Sequence, residues 1–248
     1  MRYFAEIAFN GTSYSGWQKQ PNAVSVQTVI EQSFSTILRH PTDVVGCGRT
    51  DAGVHASQYF LHFDSENSLP ENFVYKINSL LPNAIFLKKV WLVDDNAHAR
   101  FDAFSRSYIY NISLQKNPFT PETEWYFSQG NVLDTALLQQ AAELLLPYKS
   151  FFPFCKSDHD AQTLVCHLTS SFWKIDNANA RLQYHITSNR FLRGMVRLIV
   201  GMCLNVSLKK LSLHEVESAL INQTQLHKSW SVPPTGLFLS NVTYPYTD

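Results

Sequence analysis

A chain of 248 residues that is 45% hydrophobic and 16% charged can bury a sizeable core, as one large domain or two of ordinary size, and none of its apolar runs approaches the length of a membrane span. Its four cysteines, Cys47, Cys155, Cys166 and Cys203, are widely spaced without a CxxC pair, which argues for reduced thiols and against a disulfide framework. Twenty basic residues balance 20 acidic ones, a neutrality that by itself weighs against a nucleic-acid partner.

Residues 2 to 9 alternate, with Tyr3, Ala5, Ile7 and Phe9 on one face, and end at the turn signal Asn10-Gly11, so a strand opens the chain. No signal peptide precedes that strand, and a cytoplasmic location is expected. From Ser25, a suitable N-cap, Val26, Val29, Ile30, Phe34, Ile37 and Leu38 recur at helical spacing until His40-Pro41. A strand over 56–63, a short helix after Pro70, and strands over 84–93 and 106–114 follow. The second half opens with a helix from Asp134 to about Leu146, then strands at 163–175 and 181–188. A long helix is expected from about Asn189 to Val206. Ser212-Leu213-His214-Glu215 is a capping-box signal for a last helix, and a final strand should cover 237–244. Strands and helices mix in both halves with hairpin-like neighbours, which makes the fold class α+β with largely antiparallel sheets.

Charge is unevenly placed along this frame. No acidic residue lies between Asp176 and Glu215, an interval that carries Arg181, Arg190, Arg193, Arg197, Lys209 and Lys210. A neutral protein can therefore present a basic face. On the expected long helix Arg190, Arg193 and Arg197 follow i, i+3, i+7 spacing and would form one uncompensated stripe, opposite Leu192, Val196, Ile199, Val200 and Cys203.

The residues most suggestive of chemistry are Gly46-Cys47-Gly48-Arg49-Thr50-Asp51-Ala52-Gly53-Val54-His55-Ala56. They place one carboxylate among glycines, two residues from an arginine, on a loop between apolar strands. Glycines there allow positive φ angles and close approach of a ligand, and a carboxylate kept ionised by Arg49 suits a nucleophile better than a proton donor. Cys155, His159, Cys166 and His167 offer thiol and imidazole ligands, but Cys-x3-His-x6-Cys-His matches none of the usual paired-ligand spacings, and no metal site is expected there. An aspartate-nucleophile hydrolase would want a second carboxylate near Asp51 to hold a metal, and the loop has none.

The string Gly48 to Ala56 resembles the active-site motif of the TruA family of tRNA pseudouridine synthases. Similar segments occur in family order along nearly the whole chain: Tyr14 to Gln18, Asn78 to Pro82, His98 to Ala103, Arg106 to Tyr110, Phe191 to Arg197 and Pro233 to Leu239. The resemblance implies a pseudouridine synthase fold of two similar α/β lobes, 1–105 with the aspartate loop and 106–248 with the arginine-bearing helix, their sheets joined at a central active-site cleft. It implies isomerisation of uridine in the tRNA anticodon stem-loop, at tRNA positions 38 to 40, without cofactor, by a homodimer that shares one tRNA.

Roles follow residue by residue from the same resemblance. Asp51 matches the catalytic aspartate and Tyr108 the tyrosine of the uridine pocket. Arg197 matches the arginine that reaches the aspartate, and Arg49 would fill the vacated base position or hold a phosphate. Arg190 and Arg193 are left as phosphate contacts. On periodicity alone Tyr108 and Tyr110 are both core residues of one strand face, and Tyr110 is taken as packing. Cys166 stands where the family pattern commonly has an arginine. A non-catalytic RNA-binding protein explains the basic residues as well, but gives no reason for Asp51 beside Arg49.

Overall fold

In a computed structural model, described over residues 1–155 and 163–246, the chain clusters into two compact units. The first is Met1–Phe104 with Phe238–Asp248, and the second is Ser105–Leu237. Sheets in both are mostly antiparallel, and among the described residues five α-helices accompany them, an α+β fold.

In the first unit β1 (Arg2–Phe9) lies between β3 (His55–Asp64) and β4 (Ile85–Val93), antiparallel to both. A two-residue β2 (Val45–Gly46) joins β3, which then runs straight out of the Asp51 loop. Alternation decides the faces. Tyr3 and Phe63 stack on one side, where Phe34 of α1 (Val26–Leu38) and Phe73 of α2 (Phe73–Leu80) pack edge-on or stacked against them. Phe4, Phe60 and Trp91 fill the other side with Tyr244 and Tyr246. Ser25 caps α1 as expected, its hydroxyl accepting from the Thr28 N–H.

The last strand, β9 (Leu237–Thr243), pairs parallel with β3, His55 opposite Phe238 and Ala56 opposite Leu239. Residues 238 onward therefore cluster with the first unit, although the sequence-based division at 105 and 106 counts them with the second. Nothing local in residues 237–244 encodes a partner some 180 positions earlier.

In the second unit β8 (Arg181–Ser188) lies antiparallel between β5 (Ser105–Ser113) and β7 (Leu168–Asp176), and a two-residue β6 (Trp125–Tyr126) runs parallel to β5. The expected strand at 163–175 begins late, because residues before 168 contribute only a single bridge, Ser150 to Val165. Tyr184, fully buried, shares a hydrogen bond with Ser171, whose hydroxyl also donates to the Ala142 carbonyl of α3 (Thr135–Glu143), tying helix to sheet. Next to α3 runs α4 (Met195–Ser207), which is buried at every position except Arg197. The last helix, α5 (Leu213–Asn222), opens with the capping box read from Ser212 and Glu215.

Helix α4 is shorter at its N-terminus than the arginine spacing predicts. It starts at Met195, not near Asn189, because its N-cap Gly194 takes φ +70°, a left-handed conformation that ends helical continuity for any residue before it. Arg190 and Arg193 lie in the preceding connection, so the three arginines do not form a stripe on one helix. Only Arg197 is helical.

Candidate active site

The Asp51 loop is fixed from behind by residues 14 to 17. Gly16 has φ +90°, and a Cβ there would stand 2.3 Å from the Thr50 carbonyl oxygen and 3.1 Å from the Asp51 carbonyl carbon. Only glycine lets the two segments lie that close. The Trp17 N–H donates to the Thr50 carbonyl, the Gly53 N–H to the Tyr14 carbonyl, and the Val54 N–H closes a turn onto the Asp51 carbonyl. Hydrogen bonds therefore hold the backbone at 50, 51 and 53, while the Asp51 side chain remains half-buried and Arg49 is exposed. The arrangement presents a carboxylate on a hydrogen-bonded backbone, which suits a nucleophile or proton-abstracting base.

Glycines in the loop do different work from that expected of them as a group. Only Gly53 has positive φ, at +75°. Gly46 is required by packing, since a Cβ would lie 2.0 Å from the Tyr59 hydroxyl and 2.5 Å from the Trp17 ring. Trp17 and Tyr59 stack at 4.2 Å beneath the loop, and the Tyr59 hydroxyl donates to the Gly48 carbonyl. A Cβ at Gly48 would meet nothing, so the chain there faces open space. Gly16, Trp17 and Tyr59 were not identified as site residues from sequence. The one available signal was the Tyr14–Gln18 segment, whose role is only visible once it is packed under the loop.

The second unit carries the other expected site residues. Tyr108 and Tyr110 share a face of β5, opposite Ile186 and Tyr184 of β8. Tyr110 is fully buried and its hydroxyl donates to the Pro233 carbonyl at 2.7 Å. Tyr108 is only half-buried, and Phe191 meets its ring edge-on at 5.1 Å. Phe191 thereby packs against Tyr108, a contact that its place in the connection before α4 did not disclose. Arg197 is half-buried on the first turn of α4, and its Nε donates to the Val232 carbonyl at 2.6 Å. Arg193 is exposed and Arg190 half-buried, both placed by the loop and not by helical spacing.

Cys155 and Cys166 are buried, and burial raises both thiols, Cys166 to about 11, so at neutral pH they are protonated. The His167 N–H donates to the Asn189 side chain. His159 lies outside the described residues.

A family model described as tRNA pseudouridine synthase matches residues 5–102 and 141–245, stretches that include Asp51 with its Gly16 and Tyr59 supports, and Phe191 and Arg197. The chain is 40% identical over 245 residues to the tRNA pseudouridine synthase A of Azobacteroides pseudotrichonymphae, covering 98% of this chain and 97% of that protein. It is 40% identical over 246 residues to the Bacteroides thetaiotaomicron protein of the same name, covering 98% and 91%, and 33% identical over 249 residues to that of Bacillus pumilus, covering 98% and 99%. By the family model and by near-full-length identity, the chain belongs to the tRNA pseudouridine synthase family.

Proposed function

We propose that this protein isomerises uridine to pseudouridine in the anticodon stem-loop of tRNA, at tRNA positions 38 to 40, with Asp51 as the catalytic nucleophile or base. The observation that carries the reading is the Asp51 carboxylate on a loop packed against Gly16 and hydrogen-bonded to Trp17, within a motif matched over Gly48 to Ala56. The reaction breaks the bond from ribose C1′ to uracil N1, turns the base and forms the bond from C1′ to C5. The C5 proton is released and N1 gains one, so there is no net redox change and no cofactor is called for.

A base inside a stem is out of reach of a side chain, so the target uridine must leave its stack first. We assign Tyr108 to the face of the extruded uracil, where an aromatic ring can stack and a hydroxyl can hydrogen-bond. Arg197, which the resemblance pairs with the catalytic aspartate, is assigned to orient that carboxylate. Arg49 is assigned to the vacated space or a phosphate, and Arg190 and Arg193 to the RNA backbone. A homodimer sharing one tRNA, working in the cytoplasm, completes the reading. Among the described residues no helix is long and apolar enough to cross a membrane.

Incubation of the purified protein with an unmodified tRNA transcript, without cofactor and in EDTA, followed by mapping of pseudouridine at every uridine, tests this directly. Product confined to the anticodon arm is expected, and Asp51→Ala should reduce it at least ~1,000-fold while tRNA binding stays within a few fold. Product elsewhere in the tRNA would overturn the substrate assignment, and full activity of Asp51→Ala would remove Asp51 from the mechanism.

A further inference from the structure

Three residues of α4 one turn apart, Arg197, Gly201 and Asn205, each meet the strap that leaves a turn at Lys228 and runs to a short 3-10 turn at Pro234–Gly236. The Asn205 side-chain amide donates to the Lys228 carbonyl at 2.9 Å. Gly201 lies so close to the Trp230 carbonyl that a Cβ would stand 1.8 Å from its oxygen. Arg197 holds the Val232 peptide from both sides, its Nε donating to the carbonyl and its own carbonyl accepting the Val232 N–H at 3.3 Å. Contacts from three successive turns of one face of α4 thus reach Lys228, Trp230 and Val232 in order along the strap. The strap is a ruler laid along one face of α4, and its last mark is the guanidinium.

That ruler needs an end stop, and Tyr110 supplies it. Its buried hydroxyl donates to the carbonyl of Pro233, the residue following the one that grips Arg197. Gly236 closes the same strap against the Asn111 carbonyl and the Tyr110 ring, at 2.3 and 3.1 Å from an added Cβ. Burial keeps the phenol protonated across the working pH range, against a smaller opposing pull from the nearby Arg197 charge, so it is a permanent donor.

We infer that Tyr110 is a positioning residue for the reaction: through Pro233 and Val232 it sets the place of the Arg197 guanidinium. This rests on the assignment of Arg197 under the proposed function, and it gives a fully buried tyrosine, otherwise read as packing, a definite task.

The test is a double-mutant cycle on pseudouridine formation with Tyr110→Phe, Arg197→Lys and the pair. Tyr110→Phe should lower kcat about tenfold with KM for tRNA within twofold, and the same change should have almost no further effect in the Arg197→Lys background. Effects that multiply, or a wild-type kcat in Tyr110→Phe, overturn the inference. Asn205→Ala, which loosens the far end of the strap and leaves Tyr110 intact, should give the same signature at smaller size. The Arg197 Nε–H resonance in 15N NMR, identified by its loss in Arg197→Lys, provides a readout independent of turnover. It should be protected from solvent exchange in the wild type and lose protection in Tyr110→Phe, and unchanged protection would sink the inference whether or not the protein makes pseudouridine.

Discussion

A methyl group at position 16 would collide with the Thr50 carbonyl and the Asp51 backbone, and φ of +90° would strain any L-residue placed there. Gly16→Ala is expected to destabilise the protein by about 1–3 kcal/mol and to lower the single-turnover rate further than tRNA binding, because the carboxylate shifts with its backbone. Thermal melts beside single-turnover kinetics check this, and an unchanged rate would show that the backstop is dispensable. The Asp51 motif itself was legible because its residue types and spacing are local. What each glycine does was not. Gly46 answers to Tyr59 and Trp17, which only folding brings beside it, while Gly53 serves a turn and Gly48 faces open space.

At the scale of elements, caps were readable and the start of α4 was not. Ser212 and Glu215 form the reciprocal cap that their spacing announced, and Ser212→Ala should cost about 1 kcal/mol, seen as a lowered melting temperature with the activity retained. The arginines at 190, 193 and 197 keep helical spacing, yet Gly194 adopts the left-handed conformation and begins the helix after two of them. Periodicity counts positions without testing whether the backbone between them is helical. Their separate placement gives the arginines different expected effects. Arg193, exposed in a turn, should on change to Ala weaken tRNA binding without altering the single-turnover rate, reducing the salt slope of binding by about one unit. Arg197→Ala should instead lower the single-turnover rate. Fluorescence binding titrations over a range of salt, paired with rapid-quench assays, distinguish the two. Equal loss of rate in both variants would restore a shared role.

For the molecule as a whole, acid stability has an identifiable source in the first unit. His62 is buried on β3 with Nδ1 accepting the Ala99 N–H, and its ring meets His98 edge-on at 4.7 Å. Burial, with Arg2 and His98 nearby, lowers His62 to about 4, against an ordinary value of 6.5. The folded protein therefore binds this proton less readily than the unfolded chain. His62 contributes stability that is fully present above about pH 6.5 and is lost progressively as pH falls toward 4. Denaturant melts between pH 7 and 4 should fall more steeply for the wild type than for His62→Asn, whose amide oxygen can still accept from Ala99. Parallel slopes would exclude His62 as the source. Asp64, held below the usual carboxylate range by its hydrogen bond and ion pair with Arg2, acts at lower pH.

The amino-acid sequence by itself determined the succession of strands and helices, the caps of α1 and α5, and the loop that carries Asp51. Each of these is written in side-chain alternation, capping residues or a contiguous motif, interactions that span a few positions. Only the tertiary structure decided that β9 lies beside β3, that Gly16 backs the Asp51 loop, that α4 begins at Met195 after a left-handed Gly194, and that Tyr110 holds the strap gripping Arg197. Those outcomes depend on φ at single glycines and on hydrogen bonds to backbone carbonyls many positions away. A carbonyl is present at every residue, so no residue type advertises which one a distant side chain will find.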